Sequence, residues 1–67
     1  MNAAIKFDRL NNNGPYGIHP EDHRKVYLHK DSEITPMLGE TYECQLYMNG
    51  YPYLNYFAIP VSKIETG

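Results

Sequence analysis

The 67-residue sequence contains one cysteine and no tryptophan. The lone Cys44 excludes an intramolecular disulfide and leaves no cysteine pair for a structural zinc, so we expect a reduced, cytoplasmic setting. Residues 1–6 include no long apolar stretch, and the sequence therefore predicts neither a signal peptide nor a membrane span.

The sequence also lacks the usual signs of an enzyme. No segment predicts a helix longer than one turn, so no glycine-rich loop precedes a helix that could bind phosphate. Glu40 and Glu43 lie three positions apart on a predicted strand and therefore face opposite sides, which prevents them from acting as a carboxylate pair. Cys44 is predicted to face the core, where a thiol behaves as a small hydrophobic group. The three scattered histidines do not suggest a tetrahedral metal site. We predict no enzyme activity, no metal, no cofactor and no small-molecule substrate.

Short segments of alternating polarity, separated by polar turns, predict an all-β domain. The five expected strands cover residues 4–8, 16–19, 25–30, 40–48 and about 53–62. A single helical turn is possible at residues 31–34. The dipeptide Asn49-Gly50 predicts a type I′ hairpin turn, and Pro60 predicts a sheet edge or a bulge. For one domain of this size, five strands indicate a small antiparallel barrel or an SH3-like sheet.

Two of the predicted strands carry rings that suggest a binding surface. Tyr16 lies on one face of the second strand, while Tyr27 and His29 share the outer face of the third. If these strands are neighbours, their rings form a stacking platform for unpaired bases. Phe7 would extend this platform, and nearby lysines would contact phosphates. The predicted nucleic-acid-binding residues are Lys6, Phe7, Tyr16, Tyr27, His29 and Lys30.

The same strands resemble the motifs of the cold-shock domain family. Gly14-Pro15-Tyr16-Gly17-Ile18 is similar to the family's first motif, and Val26-Tyr27-Leu28-His29-Lys30 is similar to its second. Ile5-Lys6-Phe7 and residues 38–44 resemble its first and fourth strands. The resemblance implies a five-stranded barrel of the OB type that binds single-stranded RNA or DNA with low sequence specificity. It also implies a role as an RNA chaperone or as a regulator of transcription or translation.

Charge and tyrosine distribution support an alternative interpretation. Residues 1–30 carry five cationic and three acidic side chains, whereas residues 31–67 carry one cationic and five acidic side chains. Tyr47, Tyr51, Tyr53 and Tyr56 cluster in the acidic half, around the predicted hairpin turn, and the first three are the candidate interaction residues. They could form the surface of a small protein-interaction module or inhibitor, or simply stabilise the hairpin through cross-strand pairs.

Overall fold

The computed structural model describes residues 1–50 and 55–65. These residues form six β-strands and no helix: β1 (Asn2–Lys6), β2 (Arg9–Asn11), β3 (Gly14–Ile18), β4 (Lys25–Leu28), β5 (Thr41–Asn49) and β6 (Asn55–Lys63). The all-β prediction is confirmed, but residues 31–34 form a turn and a bend instead of a helical turn. In the described part of the chain, no helix has the length and apolar character needed to cross a membrane.

The strands form one sheet in the order β1-β5-β6-β4-β3-β2. Neighbouring strands are antiparallel except for β4 and β6, which pair in parallel. The sheet is not closed into a barrel, and the five-stranded barrel is therefore not confirmed. The additional strand is β2, which pairs with β3 across the two-residue turn Asn12-Asn13.

The sheet curls until β1 approaches β3 at Gly17. A Cβ atom placed on Gly17 would lie only 2.3 Å from the carbonyl oxygen of Lys6, so the missing side chain allows the two backbones to come together. The core lies on the side enclosed by this curl. Its buried members are Ile5, Phe7, Val26, Tyr42, Cys44, Leu46, Tyr56 and Ala58.

Phe7 belongs to this core, and the prediction that it extends the stacking platform is wrong. Its side chain is completely buried and meets the ring of Tyr42 edge-on, with the ring centroids 5.9 Å apart. The backbone N–H of Phe7 donates to the Glu40 carbonyl, and its carbonyl accepts from the N–H of Gly39. Phe7 follows Ile5 by two positions, and both residues therefore point to the inner side of the curl.

The two predictions for the last hairpin have different outcomes. Asn49 lies within β5 and pairs with Asn55, so the predicted two-residue Asn49-Gly50 turn is wrong. Pro60 lies on β6 opposite Cys44, where the register between β5 and β6 shifts. The predicted bulge at Pro60 is therefore confirmed.

Candidate nucleic-acid interface

The face of the sheet opposite the core carries aromatic side chains from four adjacent strands. Tyr16 on β3 pairs in register with Tyr27 on β4, Tyr27 with Phe57 on β6, and Phe57 with Tyr47 on β5. The ring centroids of Tyr16 and Tyr27 are 5.7 Å apart, and those of Tyr27 and Phe57 are 5.9 Å apart. We call these four residues the aromatic row.

The aromatic row points outward because its members alternate with core residues. Val26 precedes Tyr27 and is buried, and the two neighbours of Phe57 on β6 are buried as well. Tyr16, Tyr27 and Phe57 are half-buried, whereas Tyr47 is 47% exposed. The rings are thus held by their neighbours while part of each remains open to solvent.

His29 adds a fifth ring at the Tyr47 end of the row. It follows β4, where its backbone N–H donates to the Ala58 carbonyl, and its ring centroid lies 5.5 Å from that of Tyr47. Nδ1 of His29 accepts a hydrogen bond from the backbone N–H of Asp31 at 3.0 Å. The proton of the neutral ring therefore belongs on Nε2. The Asp31 carboxylate lies 3.8 Å from Nδ1. It accepts no hydrogen bond from this atom, because Nδ1 of the neutral ring carries no proton.

Cations lie closest to the Tyr16 end of the row. Lys25 Nζ is 5.8 Å from the centroid of the Tyr16 ring, and the exposed Arg9 on β2 pairs in register with Tyr16. Lys30 is exposed directly after His29, and Lys6 is exposed on β1. The structure therefore brings together Tyr16, Tyr27 and His29 of the predicted site and leaves Phe7 apart. It also places Lys25 and Arg9 as cations at the edge of the row.

The predicted tyrosine cluster of the second half does not form one surface among the described residues. Tyr47 joins the aromatic row, while Tyr51 and Tyr53 lie outside the described residues. Tyr56 is buried, and its ring stacks on that of His19 with the two centroids 4.7 Å apart. Its hydroxyl group donates a hydrogen bond to the Asp22 carboxylate. Among the described members of this cluster, the exposed ring is therefore that of Tyr47.

His19 and Cys44 carry side chains that could serve a metal site or a reactive site, but in this structure their contacts are structural. Nδ1 of His19 accepts hydrogen bonds from the backbone N–H groups of Glu21 and Asp22, so this atom has no lone pair for a metal. Among the described residues, no three His, Cys, Asp or Glu side chains form a metal-ligand group. Cys44 is fully buried, and burial, assisted by the nearby charge of Glu43, raises the pKa of its thiol to about 12. The thiol therefore carries no charge at neutral pH.

The raised pKa of Cys44 predicts a loss of stability at alkaline pH. An unfolded chain releases the thiol proton near the ordinary pKa of 9.0, whereas the folded chain keeps it until about 12. The unfolded state therefore binds fewer protons between these values, and the free energy of unfolding falls as pH rises. By pH 10 the Cys44 contribution to this fall is about 1 kcal/mol. Urea denaturation at about pH 8 and about pH 10 measures it.

A Cys44→Ala variant is the control for this measurement, because it keeps every other titrating group. The pKa of Tyr56 is also raised, chiefly by its hydrogen bond to Asp22 and then by burial, so part of the alkaline loss remains in the variant. We expect the variant to lose less stability than the native chain between the two pH values. Equal losses in both proteins would contradict the assignment to Cys44.

No protein-family model, curated protein or solved structure matches the chain. The similarity to cold-shock domains therefore stays a prediction from a few motifs. The features of the molecule that bear on function are the geometry of the aromatic row and the charges at its edge.

Proposed function

We propose that the protein binds single-stranded RNA or DNA with low sequence specificity through the aromatic row. The observation that carries this proposal is the register of Tyr16, Tyr27 and Phe57, which brings three half-open rings together on the outer face. An aromatic side chain stacks on any base, and each such contact contributes about 1–3 kcal/mol. Successive bases would follow the row across the strands, from Tyr16 towards Tyr47.

The cationic side chains near the row support a bound nucleic acid whose sugar-phosphate backbone runs along the edge of the row. Lys25 and Arg9 are close to Tyr16, and Lys30 follows His29. These side chains can pair with phosphates and release counterions, so affinity should fall with salt. With about three phosphate contacts, a plot of the logarithm of the binding constant against the logarithm of the salt concentration should have a slope of about −2. Lys6 remains a candidate for a further contact, since it is exposed on β1.

The biological role that fits this binding is RNA chaperoning or regulation of transcription or translation. Both follow from the resemblance to cold-shock domains, as does the proposal that the curled sheet is a variant of the OB barrel. The described sheet supports the stacking surface, which needs neighbouring strands β3, β4 and β6 and does not require β1 to close the barrel. No cofactor takes part in this binding.

Tyr27→Ala tests the proposal, because Tyr27 is the central ring between Tyr16 and Phe57. Fluorescence anisotropy with a labelled oligothymidine of about ten nucleotides should show micromolar binding at low salt. Tyr27→Ala should weaken this binding about tenfold or more, as expected from the loss of one stacking contact. Binding by the native protein should also weaken between about 50 mM and 200 mM KCl.

Tyr27→Phe is the matched control, since it keeps the ring and removes only the hydroxyl group. It should bind within about twofold of the native protein, and circular dichroism should show that both variants remain folded. If the native protein binds no oligonucleotide at low salt, or if folded Tyr27→Ala binds as well as Tyr27→Phe, the stacking proposal is wrong. The first of these outcomes would favour the protein-interaction module.

A further inference from the structure

A groove of about 350 Å³ lies between the aromatic row and the hairpin that joins β2 to β3. Its sheet side includes Tyr27 and Phe57, and its hairpin side includes Asn11, Asn13 and Pro15. The volume is at the lower end of the range of about 300–1,000 Å³ that is typical of small-ligand pockets. The groove therefore has room for a single flat heterocycle that rests on Tyr27 with its edge towards the hairpin.

The hairpin lines this groove with two asparagines, Asn11 and Asn13. Oδ1 of Asn11 accepts a hydrogen bond from the backbone N–H of Asn13 at 2.8 Å, which orients the turn. Gly14 follows with φ +115°, a conformation that residues with side chains rarely adopt. The side-chain amide of Asn13 is exposed and makes no hydrogen bond to the part of the chain that the structure describes. It thus offers one donor and one acceptor at the mouth of the groove.

We propose that this groove is a base-selective subsite in which Asn13 recognises the edge of the base that stacks on Tyr27. The proposal depends on the function proposed above and adds selectivity at one position. Adenine is the base that we expect, because it presents a donor and an acceptor side by side and asparagine amides pair with both in bidentate fashion. Beside Tyr47, the oxygen of the Gln45 side-chain amide already accepts the Tyr47 hydroxyl hydrogen bond at 3.3 Å, so the proposed selectivity concerns the single nucleotide at Tyr27.

Three labelled oligonucleotides test the subsite by fluorescence anisotropy. The first is an oligothymidine of about ten nucleotides, the second carries one central deoxyadenosine, and the third carries at that position a purine that lacks the exocyclic amino group. The native protein should prefer the adenine strand about tenfold over the other two. Asn13→Ala should lose this preference and still bind oligothymidine as the native protein does.

Asn12→Ala is the control, because Asn12 is the exposed neighbour in the same turn and does not line the groove. It should keep the native preference for adenine. If the native protein binds all three strands equally, the subsite is wrong while the stacking surface stands. A preference that survives Asn13→Ala also overturns the role of Asn13, and a preference for another base overturns the assignment to adenine. If no strand binds, both the subsite and the proposed function fail.

Discussion

A Gly17→Ala variant is expected to lose much of its stability, because there is no space for even one methyl group at this position. The added Cβ would lie 2.3 Å from the carbonyl oxygen of Lys6 and 2.9 Å from Cγ2 of Ile5. The first of these neighbours is backbone and cannot rotate away, so β1 and β3 must separate. Forced expansion of a packed site costs about 1–3 kcal/mol and sometimes more. A chain of this length has only about 3–10 kcal/mol of stability in total.

Urea denaturation followed by circular dichroism measures this loss, and Gly39→Ala provides a comparison. A Cβ on Gly39 meets no atom within 4 Å, although φ at this position is +90°. Gly39→Ala therefore reports the cost of backbone conformation alone, about 1–2 kcal/mol. Gly17→Ala should be at least as destabilising, although its backbone conformation suits an alanine. A native denaturation midpoint for Gly17→Ala would show that β1 and β3 do not approach as closely as described.

The local pattern of the sequence was sufficient to predict which way most side chains point. Val26 and Tyr27 alternate as expected between the core and the outer face, and the register shift at Pro60 follows from its missing N–H. Cys44 likewise faces the core, as its position on an alternating strand predicts. These features depend on neighbouring residues alone, so a single sequence contains the information.

The order of the strands required information that the local pattern does not contain. Phe57 joins the row because β6 pairs in parallel with β4, although about thirty residues separate them in the chain. Because Tyr56, Phe57 and Ala58 are all apolar, the local pattern indicates neither an outward ring at Phe57 nor Tyr27 as its neighbour. Asn49 shows the same limitation, because pairing with Asn55 overrides the local preference of Asn49-Gly50 for a tight turn.

The aromatic row is therefore a property of the sheet and not of either sequence motif. Tyr27 lies at its centre only because β4 has β3 on one side and β6 on the other. The motif that resembles the cold-shock family supplies Tyr27 and His29, while β5 and β6 supply Tyr47 and Phe57. Rings from both halves of the chain thus contribute to one surface, and the mildly basic first half provides the cations beside it.

Phe7→Ala is expected to leave the protein largely unfolded, and this result would separate the core from the binding surface. Removing a buried phenylalanine ring costs about 3–5 kcal/mol, which is comparable to the total stability of about 3–10 kcal/mol for a domain of this size. Phe7 is fully buried and packs edge-on against Tyr42. Circular dichroism and urea denaturation of the purified variant measure the loss directly.

Phe7→Leu is the matched variant, because it retains most of the apolar volume and should therefore cost clearly less stability than Phe7→Ala. If Phe7 acts only through the core, this variant should remain folded and bind oligothymidine as the native protein does, although it lacks the aromatic ring. Tyr27→Ala should show the opposite behaviour, with the fold retained and binding weakened. A folded Phe7→Leu protein with binding reduced as strongly as in Tyr27→Ala would place Phe7 on the stacking surface and contradict its position in the described core. The two variants together therefore distinguish a ring that supports the sheet from a ring that contacts a base.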